Sequence, residues 1–505
     1  MTRNPQKLIP AEFTATPSLD ALPTVAVVGE LDEAALDAIG VVVTSDGEVP
    51  AGVPLDREAQ ARVGFEAKPG TTLALPSPGA PLIVLIGAGA IADLGTAGLR
   101  DAAAAFTRAT SRFARIGLRV PDIGSTDAAA AAQALTEGAI LARYRYGELQ
   151  QKPKDTPLQR VELLIDGVDH VAASAGAEVG TVTARAAAIA RDLANTPSGH
   201  LTAVDMADVA TELGRRFGFD VEVFDRQQLI ALGCGGLLGV NAGSAEEPRM
   251  VKLRYTPVGA SSGHLGLVGK GIMYDSGGIS LKPSDPMHLQ MKMDMGGAAS
   301  VLATFTALRA LRATATVTGW LMCTDNMPSG SAYKLGDVLT ARGGRTVEVK
   351  NTDAEGRLVM MDAIELANED GVDAIVDIAT LTGAALMALG PSLAAVIGND
   401  PTTIGLVKAA AAAADEPVWE LPLERKYRKQ LDSDVADLSN LGGPYAGATT
   451  AALFLAEFVG ETPWAHLDIA GTMQSGEDDA WRSKGATGYG ARLLIDVARG
   501  FQPAK

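Results

Sequence analysis

Cysteine is almost missing: Cys234 and Cys323 are the only two thiols in 505 residues. So sparse a pair builds no disulfide scaffold and suits a reducing compartment. Aromatic residues make up 5% of the chain, and basic residues are in deficit, 43 Lys and Arg against 60 Asp and Glu. The formal charge of −17 argues against non-specific nucleic-acid binding as the main task, because such binding neutralises phosphates with cationic side chains. It favours solubility. A membrane span needs about 20 consecutive apolar residues, and none is present. The most apolar long stretch, Ile378 to Ile397, is broken by Thr380, Thr382, Gly383, Gly390, Pro391 and Ser392, and Asp377 precedes it. A buried strand, loop and helix account for it better. Met1 to Thr14 has neither an apolar core nor a cleavage pattern, so no signal peptide is expected and the expected compartment is the cytoplasm.

Two nucleotide-binding patterns also fail. Gly87-Ala88-Gly89 follows a strand-like run, but Ala92 stands where a dinucleotide loop needs its third glycine. Gly269-Lys270 resembles the end of a phosphate-binding loop, yet His264 and Gly271 stand where glycine and a hydroxyl residue are required. Lys270, at the end of the apolar run Gly263–Val268, needs another explanation.

A chain of 505 residues is too long for one ordinary core, so at least two domains are expected. Strand-like runs (Thr24–Val28, Leu82–Ile86, Val161–Ile165) alternate with Ala-rich helical segments, an α/β pattern. Asp101 to Gly147 reads as an Ala-rich helical region broken at Val120–Gly124, and Gln151 to Pro157 as a surface loop. The chain divides as a smaller N-terminal α/β domain over 1–175, a linker helix over 176–198, and a larger C-terminal α/β domain over 199–505. In the last, strands at 220–224, 249–255, 263–268 and 315–322 follow a helix at 203–217.

The chemistry converges on Asn351-Thr352-Asp353-Ala354-Glu355-Gly356-Arg357-Leu358. The β-prone run Thr346–Lys350 precedes it and an apolar helical pattern follows. If the segment is extended, Asp353, Glu355 and Arg357 share a face. Adjacent carboxylates repel unless cations hold them; the octapeptide alone also reads as a solvated acidic turn. Asp275 and Asp294 lie at other glycine-punctuated strand ends, where open α/β sheets place ligands. Four carboxylates (Asp275, Asp294, Asp353, Glu355) would balance two divalent cations, and carboxylate ligands suit Zn, Mn or Mg. No His-Glu-x-x-His occurs, and His170, His200, His264, His288 and His466 all fall outside these motifs. Burial beside two cations would depress the Lys270 amine enough to ligate metal. Lys282 and Arg357 remain as positive groups for a developing anion.

Val268-Gly-Lys-Gly271 through Asp275-Ser-Gly-Gly278, Met291-Lys-Met-Asp-Met-Gly-Gly297 and the octapeptide together resemble the leucine aminopeptidase (cytosol aminopeptidase) family. The resemblance extends over Asn195-Thr-Pro197, Leu201-Thr202, Asn326-Met-Pro-Ser-Gly330, Ala379-Thr-Leu-Thr-Gly383, Asp434-Val-Ala-Asp-Leu438 and His466-Leu-Asp-Ile-Ala-Gly471. It implies an α/β/α catalytic domain with a central mixed sheet. It implies one metal held by Lys270, Asp275, Asp294 and Glu355, and a second by Asp275, Asp353 (side chain and carbonyl) and Glu355. The metals would be Mn2+ or Zn2+, with Mg2+ as a third option. Lys282 and Arg357 match the family's catalytic pair. A bicarbonate general base would rest on Arg357, Gly356 and Leu381. Met291, Thr380, Gly383, Ala470 and Met473 would line the pocket for the first side chain. The implied reaction is release of N-terminal Leu and other apolar residues from peptides by a metal-activated hydroxide, in a homohexamer whose sites face an enclosed cavity. Two departures bear on substrate preference: Met273-Tyr274 stands where Thr-Phe is commoner, and the Lys282–Asp294 loop is one residue longer than expected. The competing readings are a DNA-binding role, which the charge opposes, a hexameric scaffold with a dead site, and phosphoryl transfer at a two-metal site.

Overall fold

Branched apolar runs form the strands, and those buried on both faces lie in the parallel parts of two sheets. The computed structural model describes residues 9–503 except 11, 52, 77, 123–125 and 152–155. The chain divides into two compact units. One comprises 16–188 and 475–485; the other comprises 189–474, 486–505 and the stretch up to residue 15. The division at 188/189 falls within a single long helix, His170–Asn195.

The first unit is built on a six-stranded sheet in the order Thr24–Val27, Arg160–Ile165, Arg115–Val120, Ala38–Val43, Leu82–Gly87, Thr72–Leu75. Its strands are parallel except Thr72–Leu75, which runs antiparallel to Leu82–Gly87. Helices Thr96–Ala109 and Ala128–Arg143 pack closely, because a Cβ at Gly138 would meet the Arg100 carbonyl oxygen at 2.1 Å. The sequence reading of 101–147 as helical missed the strand Arg115–Val120. Its two arginines and a glycine hide the apolar alternation, yet Ile116, Leu118 and Val120 are buried in the core. The expected break at 120–124 and the expected loop at 151–157 lie partly outside the described residues. Residues 475–485 return to this unit and bury Trp481 completely among Ala104, Ile140, Leu141, Ala184 and Ala187.

The second unit is organised by an eight-stranded mixed sheet: Val418–Glu420, Ala394–Gly398, Trp464–Asp468, Ala374–Ala379, His264–Asp275, Thr316–Asn326, Arg249–Tyr255, Asp220–Phe224. The four central strands are mutually parallel; Ala394–Gly398 and Arg249–Tyr255 run against them. Successive residues of a strand face opposite sides, and His264–Asp275 uses this at its carboxyl half. A Cβ on Gly269 would collide with Ala298 in helix Gly296–Leu308, while Lys270 reaches Gly356 at the start of helix Gly356–Glu369. A Cβ on Gly297 would stand 2.1 Å from the Ile378 carbonyl oxygen. The small-residue run at 296–299 therefore draws its helix directly onto the sheet. The carboxyl ends of three parallel strands and the amino ends of two helices thus meet in one region.

Candidate active site

Each acidic side chain reaches this region on a different element. Asp275 ends the strand His264–Asp275, and Asp294 closes the short turn Met291–Met293 just before helix Gly296–Leu308. Asp353 lies in a turn, and Glu355 already has helical backbone angles as the N-cap of Gly356–Glu369. The octapeptide is therefore not extended, and the shared face expected from alternation does not arise that way. The turn itself brings the carboxylates together: ligand atoms of Asp275, Asp353 and Glu355 lie within 4.8 Å of one another.

Two lysines thread the cluster. Lys270 Nζ lies 2.9 and 2.8 Å from the Asp294 carboxylate oxygens, 2.8 Å from Glu355 Oε1 and 2.8 Å from the Thr380 carbonyl. Lys282 Nζ lies 2.8 Å from Asp275 Oδ2 and 2.5 Å from Asp353 Oδ1. Burial opposes the Lys270 charge, but Asp294, Glu355 and Asp275 outweigh it and hold the ammonium above the usual lysine range. The sequence expectation of a neutral Lys270 thus depends on cations taking over those carboxylates. Burial pushes Glu355 and Asp294 well above the ordinary carboxyl range, and repulsion from Asp275 adds to it; Asp353 shifts the same way. Two ammonium groups against four carboxylates leave a deficit of positive charge, and Glu355 Oε2 is buried with no hydrogen-bond partner. Buried oxygens that lack cationic partners and resist ionisation suit hard divalent cations, so the donor set fits such ions.

Arg357 is buried beneath the cluster. Burial lowers its guanidinium to about 10 against the pull of Glu355 and Asp468. Its Nη1 donates to the Asn440 carbonyl at 2.9 Å, whereas Nε has no partner. A Cβ on Gly356 would fall 2.6 Å from Lys270 Cε, so glycine is required for that approach. The Leu381 N–H donates to Asp468 Oδ1 at 3.2 Å. Of the expected pocket residues, Thr380 donates to Asp294 Oδ1 at 2.6 Å, buried Met473 packs on Gly296, and buried Met291 opens the turn carrying Asp294. Gly383 is exposed and Ala470 half-buried. They are linked to the rest through Asp468, which accepts from the Thr382 and Ala470 N–H groups. The Tyr274 ring lies 5.8 Å from that of His288, tilted by 31°. His466 is a core histidine, with Nδ1 2.5 Å from Asp377 Oδ1.

Sequence reasoning gave no role to the polar residues that brace the site. Asn326 Nδ2 donates to Asp275 Oδ1 at 2.8 Å and to the Thr352 carbonyl at 2.9 Å, and Tyr333 Oη donates to the same carbonyl at 2.7 Å. Asn440, also buried, accepts from the Lys350 and Asn351 N–H groups and donates to the Asn351 and Ala354 carbonyls. The available signal was an asparagine ending an apolar strand, where an unpaired amide would be costly.

Known proteins resemble this chain over most of its length. The profile described as "Cytosol aminopeptidase family, catalytic domain" matches residues 188–495, and that described as "Cytosol aminopeptidase family, N-terminal domain" matches 56–153. A protein of Clavibacter michiganensis subsp. michiganensis named "Probable cytosol aminopeptidase" is 41% identical over 495 residues, 93% of this chain and 96% of that one. One of the same name from Geobacter sp. (strain M21) is 41% identical over 452 residues, 88% and 91% of the two chains. Among solved structures, "Bottromycin maturation enzyme BotP in complex with Mn" superposes with a TM-score of 0.85 at 38% identity, over 92% of this chain and 99% of that one.

Proposed function

The chain belongs to the cytosol aminopeptidase family, metal-dependent hydrolases of peptides, and from that premise we propose a two-metal exopeptidase that releases Leu and other apolar residues from peptide N-termini. The observation that carries this reading is the convergence of buried Asp275 and Glu355 with half-buried Asp353 within 4.8 Å, with Lys270 tying Asp294 to Glu355. Lys270, Asp275, Asp294 and Glu355 would hold one cation, and Asp275, Asp353 and Glu355 the other, with Mn2+ favoured by the Mn-bound neighbour. When bound, two divalent cations supply Lewis acidity that activates water and polarises a peptide carbonyl.

The chain's own groups do the rest. Lys282 places its ammonium at the half-buried rim, between Asp275 and Asp353, where it would stabilise charge developing on the carbonyl oxygen. Removing one such donor commonly costs ~3–4 kcal/mol of barrier. Arg357 offers its unpartnered Nε to an anion; a bicarbonate there would be held by Arg357, the Gly356 N–H and, once released from Asp468 Oδ1, the Leu381 N–H, and would supply a general base. Met291, Thr380, Gly383, Ala470 and Met473 would receive the first side chain.

We further propose a cytoplasmic homohexamer with enclosed sites, which would spare folded proteins by size; closed symmetry is the usual route to such an enclosure. Among the described residues no helix is long and apolar enough to cross a membrane. The test is an assay on leucine p-nitroanilide after chelation, with Mn2+ restored in steps and bound metal counted by dialysis. Activity should return as two ions per chain bind. Full activity without metal, or saturation at one ion, would overturn the two-metal reading. Light scattering that gives one or two chains of 51.9 kDa for fully active protein would overturn the hexamer.

A further inference from the structure

We propose that Asn326 is a positioning residue that sets the presentation of Asp275 to the metals. The inference rests on the two-metal reading and deepens it.

Asn326 and Asp275 are register partners at the carboxyl ends of adjacent parallel strands. The Asn326 backbone grips the chain just beyond Asp275, its carbonyl accepting from Ser276 N–H at 3.0 Å and Ser276 Oγ at 2.7 Å. Its amide nitrogen spends both hydrogens, one on Asp275 Oδ1 and one on the Thr352 carbonyl. Thr352 immediately precedes Asp353, so one NH2 group ties together the two segments that carry these carboxylates. Asp275 Oδ1 also accepts from the Gly277 N–H at 2.8 Å. Two donors on Oδ1 fix the carboxylate plane and leave Oδ2 turned toward Lys282.

The amide orientation follows from its surroundings. Turned over, Asn326 would set its oxygen against two acceptors. As placed, its Oδ1 is buried and has no hydrogen-bond partner. A residue serving stability alone would not leave an acceptor bare; here the arrangement is dictated by where the NH2 must point. Aspartate lacks the donors, and leucine, of similar shape, has no polar group. Outer-shell partners of this kind typically change metal affinity 10–100-fold when removed.

Tyr333 supplies the control, because it donates to the same Thr352 carbonyl and makes no bond to Asp275. Asn326→Leu and Tyr333→Phe are compared with the unaltered full chain by competition for Mn2+ against a chelating dye, with melting temperatures taken alongside. The expectation is Mn2+ affinity at least 10-fold weaker in Asn326→Leu and within about threefold of the parent in Tyr333→Phe. If Asn326→Leu does not fold, Asn326→Ser, whose short hydroxyl cannot span both acceptors, carries the same expectation. Unchanged affinity in the Asn326 variant, or equal losses in both, would overturn the role, the latter by tracing the effect to the Thr352 loop. An unaltered protein that takes up no Mn2+ would overturn both this inference and the two-metal reading.

Discussion

Gly356→Ala separates folding from function at this site. Gly356 opens a helix and has no left-handed backbone angle, so alanine is compatible with its backbone and helix propensity favours it by up to ~1 kcal/mol. The difficulty is spatial. The added methyl would lie 2.6 Å from Lys270 Cε and 2.8 Å from Cδ and Nζ, where ordinary contact begins at 3.4 Å. Lys270 must therefore retreat by about 0.6–0.8 Å, the gap between those distances. Its Nζ contacts with Asp294 and Glu355, now 2.8–2.9 Å, would stretch toward the limit of a hydrogen bond. Metal–ligand distances tolerate about ±0.2 Å, so the displacement exceeds that tolerance about threefold. Misplacement approaching 1 Å costs on the order of 10²-fold in rate. Gly356→Ala should thus melt within a few degrees of the parent while kcat on leucine p-nitroanilide falls about 100-fold and Mn2+ binds more weakly. A kcat within threefold of the parent, with unchanged metal affinity, would refute the reasoning. So would a variant that loses its fold, because the requirement would then be one of backbone.

Lys282→Ala should lower kcat far more than it weakens Mn2+ binding; equal losses would make Lys282 structural. Asp362 is buried, accepts from the Leu237 and Arg342 N–H groups, and is pushed up to about 7, chiefly by burial. Between its ordinary value near 3.8 and about 7 the folded chain keeps a proton that the unfolded chain has released, so its contribution to stability falls as pH rises through that window. The loss is at most about 4 kcal/mol; Asp362→Asn should flatten the decline in urea midpoint between about pH 4.5 and 7.5, and an unchanged slope would refute this. Cys234 and Cys323 are buried, with thiols pushed up to about 12 by burial. A disulfide reagent at pH 8 should find no thiol until the chain unfolds, and rapid native labelling would contradict that burial.

Sequence read the second unit best where chemistry is packed into short motifs. The octapeptide, the glycine-flanked Asp275 and the small-residue run after Asp294 could be singled out because each is local. Their convergence was legible; its cause was not. Alternation along an extended segment was the expected device, and a turn leading into a helix is the actual one. The braces were hidden for another reason. Asn326 acts on a carboxylate 51 positions away and Asn440 on a loop 89 positions away, and neither carries a local pattern. In the first unit, Arg115–Val120 escaped because a six-residue strand between two Ala-rich helices yields too few apolar positions to break the helical reading.

The return of 475–485 to the first unit has a consequence for how this chain could be inherited. The segment lies inside the stretch matched by the catalytic profile, 188–495, yet its Trp481 shares a buried cluster with Ala104, Ile140, Leu141, Ala142, Ala184 and Ala187. A single crossover in the gene near codon 188 would separate a tryptophan from its socket. The incoming N-terminal half would have to bring a matching alanine-lined hollow, or the recombinant would expose an indole on one half and a gap in the other. Two modules joined end to end can be exchanged freely, whereas two that each hold a piece of the other's sequence must vary together. Drift at Trp481 should therefore be coupled to drift at Ala104, Ala184 and Ala187, and grafted N-terminal halves should succeed only when 475–485 travels with them.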